Sequence, residues 1–196
     1  MQTNKKNESQ TLKATDILQW EFEYARTTAS EAMRDRHTMI NYYLLAVGIV
    51  ASGVIAILKN DSDLQASAGT ALLWGLCIVG WFYFLKIIRL RQAWYDSAQA
   101  MNQIKEVYVD KSQGKDKDII EAALRWRQAT LPQPGNRWTV FHYSAMLIGF
   151  LNAVASSIGY VLIKEPSTPM QWMFLVLLGL IFFVIHDRLY VFFLKK

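Results

Sequence analysis

Hydrophobic and polar residues fall into long blocks along this chain and do not alternate at a helical or strand period. An apolar helix of roughly 20 residues is long enough to cross a hydrocarbon core of about 30 Å. Four blocks reach that length, and they cover residues 38–58, 70–88, 140–163 and 170–193. We therefore predict an all-α membrane protein with four transmembrane helices.

The polar segments between the blocks predict how the four spans are connected. The connections 59–69 and 164–169 are short and rich in turn-forming residues, so each should join two spans into a helical hairpin. The connection 89–139 is long and largely helical in pattern, and residues 1–37 should form a tail followed by a juxtamembrane helix. Two hairpins with a cytoplasmic helical layer are the predicted architecture.

Lysine and arginine are distributed very unequally between the two sides of the predicted spans. Nineteen of the 21 lie in the N-terminal tail, in the region from Lys86 to Arg137 or at the C-terminal end. The two short connections hold only Lys59 and Lys164. Because basic residues accumulate on the cytoplasmic side, we predict a multi-pass protein of the cell inner membrane with both termini in the cytoplasm.

Composition narrows the class of protein further. The hydrophobic fraction is 53%, yet the mean hydropathy is only +0.12, as expected when apolar and charged residues are segregated. The net charge of +5 is explained by basic residues that collect on the cytoplasmic side and contact anionic lipid. We therefore expect no nucleic-acid partner. With one cysteine, Cys77, and no phosphate-binding loop or hydrolase motif, we expect no enzyme, metal or cofactor.

Small residues recur at intervals of four in the first and third spans. Such stripes let helix backbones approach closely in a bilayer. They fit either a seam between subunits or packing within one subunit, and the second interpretation is the more common. The helix-packing stripe comprises Gly48, Ser52, Ala56, Gly149, Ala153 and Ser157.

Few polar side chains lie within the spans. Asn152 is the most informative, because an amide in the bilayer core needs a hydrogen-bonding partner or water. It can line a pore or make an interhelical hydrogen bond, and both interpretations remain open. The candidate polar lining of a pore comprises Asn152, Ser156, Ser157 and Ser52.

Histidines and charges gather at the predicted inner edge of the spans. A metal or proton site is one interpretation, and interfacial anchoring with salt bridges is the alternative that we favour. Asp187 is the central acid, with Lys86 and Arg89 as its expected partners. The cluster comprises Asp35, Arg36, His37, Lys86, Arg89, His142, His186, Asp187 and Arg188.

Two stretches of the chain carry a resemblance to a known class. EYARTTASEAMRDRHTMINYYLLAVGIVASGVIAIL joins a cytoplasmic helix to a span, and RLRQAWYDSAQAMNQIKEVY continues the second span as a Trp- and Tyr-bearing helix. This layout, over residues 15–125, resembles the SLATT class of small bacterial membrane proteins. The resemblance implies two spans flanked by cytoplasmic helices and a role as a pore-forming effector in antiphage systems; the second hairpin is additional to that layout.

Two functions follow from this reading. The first is a homo-oligomeric inner-membrane effector or channel-like protein that alters membrane permeability, in antiphage defence, when a cytoplasmic protein or ligand acts on the helical layer. The second is a non-conducting membrane anchor or accessory subunit that holds a soluble cytoplasmic partner. In both, the lipid bilayer is the first partner of the chain.

The charge distribution generates a topology prediction. A reporter fused after Lys196, and another inserted within residues 111–118, should both read cytoplasmic, while cysteines placed in residues 61–66 should react with an impermeant label from outside. Periplasmic activity of the C-terminal fusion would contradict the predicted orientation.

Overall fold

The computed structural model describes residues 14–58, 63–112, 118–120, 122, 124, 131–164 and 166–195. Four long helices contain most of these residues, and none of the residues described lies in a strand. All four helices are long and apolar enough to cross a membrane. The all-α class with four candidate spans is thereby confirmed, whereas the tail 1–13 lies outside the described residues.

The first two helices are much longer than the apolar blocks that they contain. Helix α1 covers Ala14–Ile57 and joins the juxtamembrane segment to the first span without a break. The absence of Pro and Gly from residues 14–37 permits this continuity. Helix α2 covers Asp63–Lys111, so it begins before the apolar block at residue 70 and continues well past residue 88.

The last two helices match their apolar blocks closely. Helix α3 covers Val140–Ile163 and helix α4 covers Pro169–Leu194. Thr139 caps α3, because its hydroxyl accepts a hydrogen bond from the backbone N–H of His142 at 3.2 Å. Thr168 caps α4 in a capping box with Gln171, and Pro169 at the first helical position fits that start.

The chain divides into two compact units. The small unit draws on residues 1–29 and 96–131, and the bundle unit on residues 30–95 and 132–196. The bundle unit contains the membrane-spanning parts of all four helices. In the part of the small unit that follows residue 117, the structure describes residues 118–120 and 122, which are helical, and residue 124, which is not.

The core of the bundle unit is built from all four helices. It is mostly aromatic and aliphatic, as the absence of water from a bilayer interior requires. Its fully buried members include Tyr43 of α1, Phe84 and Ile87 of α2, Ile148 of α3 and Tyr190 of α4.

Glycines allow α3 to approach its neighbours closely. A Cβ added at Gly149 would lie 2.9 Å from Cβ of His186 on α4, and one added at Gly179 would lie 3.4 Å from Oγ of Ser157. By contrast, a Cβ added at Gly48 of α1 would meet nothing within 4 Å. Gly149 is therefore part of a tight helix contact, whereas Gly48 is not.

This contrast predicts opposite effects for two identical substitutions. Gly149→Ala should lower the free energy of unfolding by about 1–3 kcal/mol, because the added methyl group forces α3 and α4 apart. Gly48→Ala should leave it unchanged or raise it by about 0.5–1 kcal/mol, the usual helix preference of Ala over Gly. Thermal unfolding of both variants in the same detergent measures the difference; equal stabilities would rule out the tight α3–α4 contact.

Candidate functional site

Asn152 lies at the centre of the bundle unit and not on its surface. Its side chain on α3 is 0% exposed, and the hydroxyl of Tyr43 on α1 donates a hydrogen bond of 2.8 Å to its Oδ1. Gly80 of α2 faces the same amide, and any Cβ at that position would overlap it. Three helices thus enclose one amide, whose Nδ2 finds no hydrogen-bond partner in the part of the chain that the structure describes.

Further polar contacts between α2 and α3 continue from Asn152 toward the 59–69 connection. Sγ of Cys77 lies 3.1 Å from Oγ of Ser156 and 3.5 Å from the carbonyl oxygen of Asn152. Farther along, the hydroxyl of Thr70 donates a hydrogen bond of 3.2 Å to the carbonyl of Gly159. The interior of the bundle unit is therefore polar at several successive helical turns.

His186 lies on the opposite side of Asn152 along the bundle, in an aromatic cage. Its ring stacks on Trp81 with centroids 4.2 Å apart, and the rings of Phe84 and Phe182 lie 4.8 and 4.9 Å away. Nδ1 lies 2.9 Å from the carbonyl oxygen of Phe182 and, since a carbonyl only accepts, must carry the proton of that hydrogen bond. Nε2 is buried without a partner.

Asp187 has different partners from those that the sequence analysis expected. Its carboxylate binds Nη2 of Arg137 at 2.7 Å and Nε2 of His142 at 2.9 Å. Lys86 and Arg89 lie exposed on α2, and Arg89 donates to Gln92 instead. The expected pairing with Lys86 and Arg89 is therefore wrong. Arg137 lies just before α3 and His142 in its first turn, and α3 packs against α4, which carries Asp187.

Two buried arginines lie near the same end of the bundle. Arg36 of α1 and Arg91 of α2 are each 2% exposed, and both guanidinium groups lie against the ring of Phe141 at 5.2 and 5.8 Å. We call the end of the bundle unit that holds these arginines and Asp187 the basic end. Its remaining charges are largely exposed.

The structure separates the other predicted site residues into two groups. Gly149 and Ala153 are buried, and Ser157, which is partly buried, donates to the carbonyl of Ala153 at 2.9 Å. The rest are exposed on the surface of the single chain and do not pack within it. This exposed group comprises Gly48, Ser52, Ala56, Asp35, His37, Lys86, Arg89 and Arg188.

The three histidines do not form one site. His186 and His142 lie on facing helices at the basic end, whereas His37 is exposed and its ring contacts Arg36. Among the described residues there is no group of three His, Cys, Asp or Glu side chains placed to hold a metal ion.

Sequence reasoning did not single out Tyr43, Gly80, Trp81 or Arg91 as site residues. Tyr43 resembled its neighbour Tyr42 as an interfacial aromatic, yet Tyr43 is fully buried and Tyr42 is 60% exposed. The one available signal was the Gly80-Trp81 pair, a glycine beside the largest side chain within an apolar run.

Comparisons with known proteins find no match for this chain among protein families, curated proteins or solved structures.

The Tyr43–Asn152 hydrogen bond predicts a selective effect on stability. Tyr43→Phe should lower the free energy of unfolding by about 0.5–1.5 kcal/mol, because the buried Oδ1 of Asn152 loses its donor. Tyr42→Phe removes the same hydroxyl from the exposed neighbouring position and should change stability by less than about 0.5 kcal/mol. Unfolding of both variants in detergent measures this, and equal effects would argue against an interior position for Asn152.

Proposed function

We propose that this protein is an oligomeric inner-membrane effector that alters membrane permeability, with both termini in the cytoplasm. The observation that supports the proposal is the polar interior of the bundle unit, where Asn152 Nδ2 and His186 Nε2 are buried without a hydrogen-bond partner among the described residues. Polar groups inside a membrane are costly, and they commonly mark pathways for ions, protons or water. The resemblance to SLATT proteins points to the same function and to a role in antiphage defence.

The position of Asn152 bears on where the proposed permeation route lies. A ring of Asn152 side chains around an oligomer axis requires this residue to face outward, and its side chain is fully enclosed by its own subunit. The polar groups of the interior instead follow one another along each bundle, from Thr70 through Cys77 and Ser156 to Asn152 and His186. We therefore place the proposed route inside each subunit, where only small species fit.

The outward face of α1 supports the oligomeric part of the proposal. Asn41, Gly48 and Ser52 recur at helical spacing on one side of α1, and all three are exposed. Contact with lipid stabilises an amide or a small side chain very little. The same residues stabilise a close contact between helices of neighbouring subunits. This face is the proposed contact between copies of the chain.

A non-conducting anchor is the second candidate, and the small unit favours it. A groove of about 550 Å³ in that unit combines apolar side chains, Phe22, Ile104 and Tyr108, with charged ones, Glu23, Arg26 and Lys105. Such a mixed surface suits a protein segment or a ligand. In this alternative the helices hold a partner at the membrane and nothing crosses the bilayer.

Flux through liposomes distinguishes these functions. Purified protein reconstituted at a fixed density should dissipate a potassium or proton gradient, and Asn152→Leu should reduce that flux by about tenfold or more, because an apolar side chain replaces the central amide. Tyr160→Leu, which places the same apolar side chain at an exposed position of the same helix, is the matched control and should conduct like wild type.

The other outcomes of this assay are equally informative. Flux that survives Asn152→Leu but is lost in Ser52→Ala, a change on the exposed stripe, would move the route to the contact between subunits. No flux from wild type, including in cells that express its native neighbours, would favour the anchor. Size-exclusion chromatography with light scattering provides the assembly state of each variant, so that loss of flux is not confused with loss of the oligomer.

A further inference from the structure

Two arginines of the basic end are buried in an unusual arrangement. Arg36 immediately precedes the first predicted span and Arg91 follows the second, so different helices bring them to one place. Each side chain is 2% exposed, and the guanidinium carbons lie 5.2 and 5.8 Å from the centroid of the Phe141 ring. Two positive charges therefore share one aromatic side chain of α3.

The hydrogen bonds of these arginines use only part of their donor capacity. Arg36 Nη2 donates to Nε2 of His37 at 2.5 Å, while its buried Nη1 has no partner among the described residues. Arg91 reaches the carbonyl oxygens of Pro134 and Gln133 only at 3.5 and 3.4 Å. A guanidinium has five N–H donors, so one buried nitrogen of Arg36 can still take an acceptor, and the acceptors of Arg91 are neutral and distant.

Neither guanidinium pairs with a carboxylate in the described part of the chain. The ion pairs found there join Asp187 to Arg137 and to His142. Asp187 is thus already engaged, and Asp35 is exposed. Burial lowers the pKa of both Arg36 and Arg91, yet an arginine keeps its proton at neutral pH. Within the described residues, these two buried charges have no counter-ion.

Contact with aromatic rings offsets only part of this cost. Arg91 also stacks on Trp94 at 4.6 Å, and cation–π contacts stabilise a cation through the ring quadrupole. A buried cation still requires an anion or strong acceptors to balance the loss of hydration. In the described part of the chain no acidic side chain supplies that anion to Arg36 or Arg91.

We propose that Arg36 and Arg91 bind a phosphate group, and that anionic phospholipid of the surrounding leaflet supplies it. The planar fork of a guanidinium matches two phosphate oxygens, which makes arginine well suited to this ligand. Both residues border the predicted spans, at the depth where headgroup phosphates lie. The exposed Lys86 adds positive charge at the same end.

A route for the headgroup follows from the position of His37. This residue is exposed, and its imidazole occupies one nitrogen of the Arg36 guanidinium. A phosphate that displaces the imidazole gains Nη2 and the unpartnered Nη1 together, which is a bidentate arrangement. The site does not depend on whether the bundle conducts, so it is independent of the proposed function.

Lipid binding by the full-length protein tests the proposal. Native mass spectrometry and thermal unfolding in detergent should be run with added phosphatidylglycerol, with phosphatidylcholine and with inorganic phosphate. Wild type should retain phosphatidylglycerol in preference to phosphatidylcholine and unfold at a higher temperature with it. Arg36→Gln and Arg91→Gln should weaken phosphatidylglycerol binding by about tenfold or more each, since each removes a phosphate-binding fork.

Two control variants keep the test specific. Arg89→Gln removes an exposed charge from the same turn of α2 and should change binding by less than about threefold, as expected of a screened surface charge. Arg36→Lys keeps the charge without the fork and should bind at an intermediate level. It also remains informative if the glutamine variants fail to fold.

The results that overturn the proposal are distinct. Equal retention of phosphatidylglycerol by wild type, Arg36→Gln and Arg91→Gln would exclude the site. If Arg89→Gln lost as much lipid binding as Arg36→Gln, the binding would come from general surface charge and not from a site at Arg36 and Arg91. Stabilisation by inorganic phosphate with none by phosphatidylglycerol would overturn the lipid source while supporting the phosphate chemistry of the two arginines.

Discussion

The requirement that polar groups in a bilayer find their partners within the protein governs the rest of this structure. Asn152 shows how it acts: the amide in the third span is enclosed by Tyr43 of α1, by Gly80 of α2 and by its own helix, and its Oδ1 accepts a hydrogen bond from Tyr43. Water is absent from the hydrocarbon core, so exposing such an amide to lipid costs free energy. That cost determines how the surrounding helices are rotated about their axes. The rotation that hides Asn152 also buries Tyr43 and leaves Tyr42 exposed.

The same constraint explains why the architecture follows from the sequence with so little ambiguity. An apolar block of about 20 residues has one stable arrangement in a bilayer, a spanning helix, because every backbone group is then paired internally. The separation of apolar from charged residues along the sequence therefore predicts where the spanning helices lie. The long extensions of α1 and α2 follow from the absence of helix breakers before the first span and after the second.

The partners of the site residues do not follow from the sequence in this way. The carboxylate of Asp187 was expected to pair with Lys86 or Arg89 because those charges lie near it in predicted depth. Depth alone does not define which face of α2 points inward, and both of those residues point outward. Arg137 and His142 reach Asp187 because the turn at residues 131–139 and the Thr139 cap direct the start of α3 toward the end of α4, a geometry that hydropathy does not encode.

The charged side chains of the basic end have two kinds of surroundings. One kind suits a contact that stabilises the fold, and the other suits a binding site. Asp187 contacts Arg137, which precedes α3, and His142 of α3. Arg36 and Arg91 are buried more deeply than Asp187, and in the described part of the chain aromatic rings and distant carbonyls surround them in place of acids. A chain that only had to stabilise these positions would gain more from a carboxylate or an apolar side chain. Arg36 and Arg91 have no acid partner in the described part of the chain. The lipid phosphate proposed above would supply the acceptors that these two side chains need.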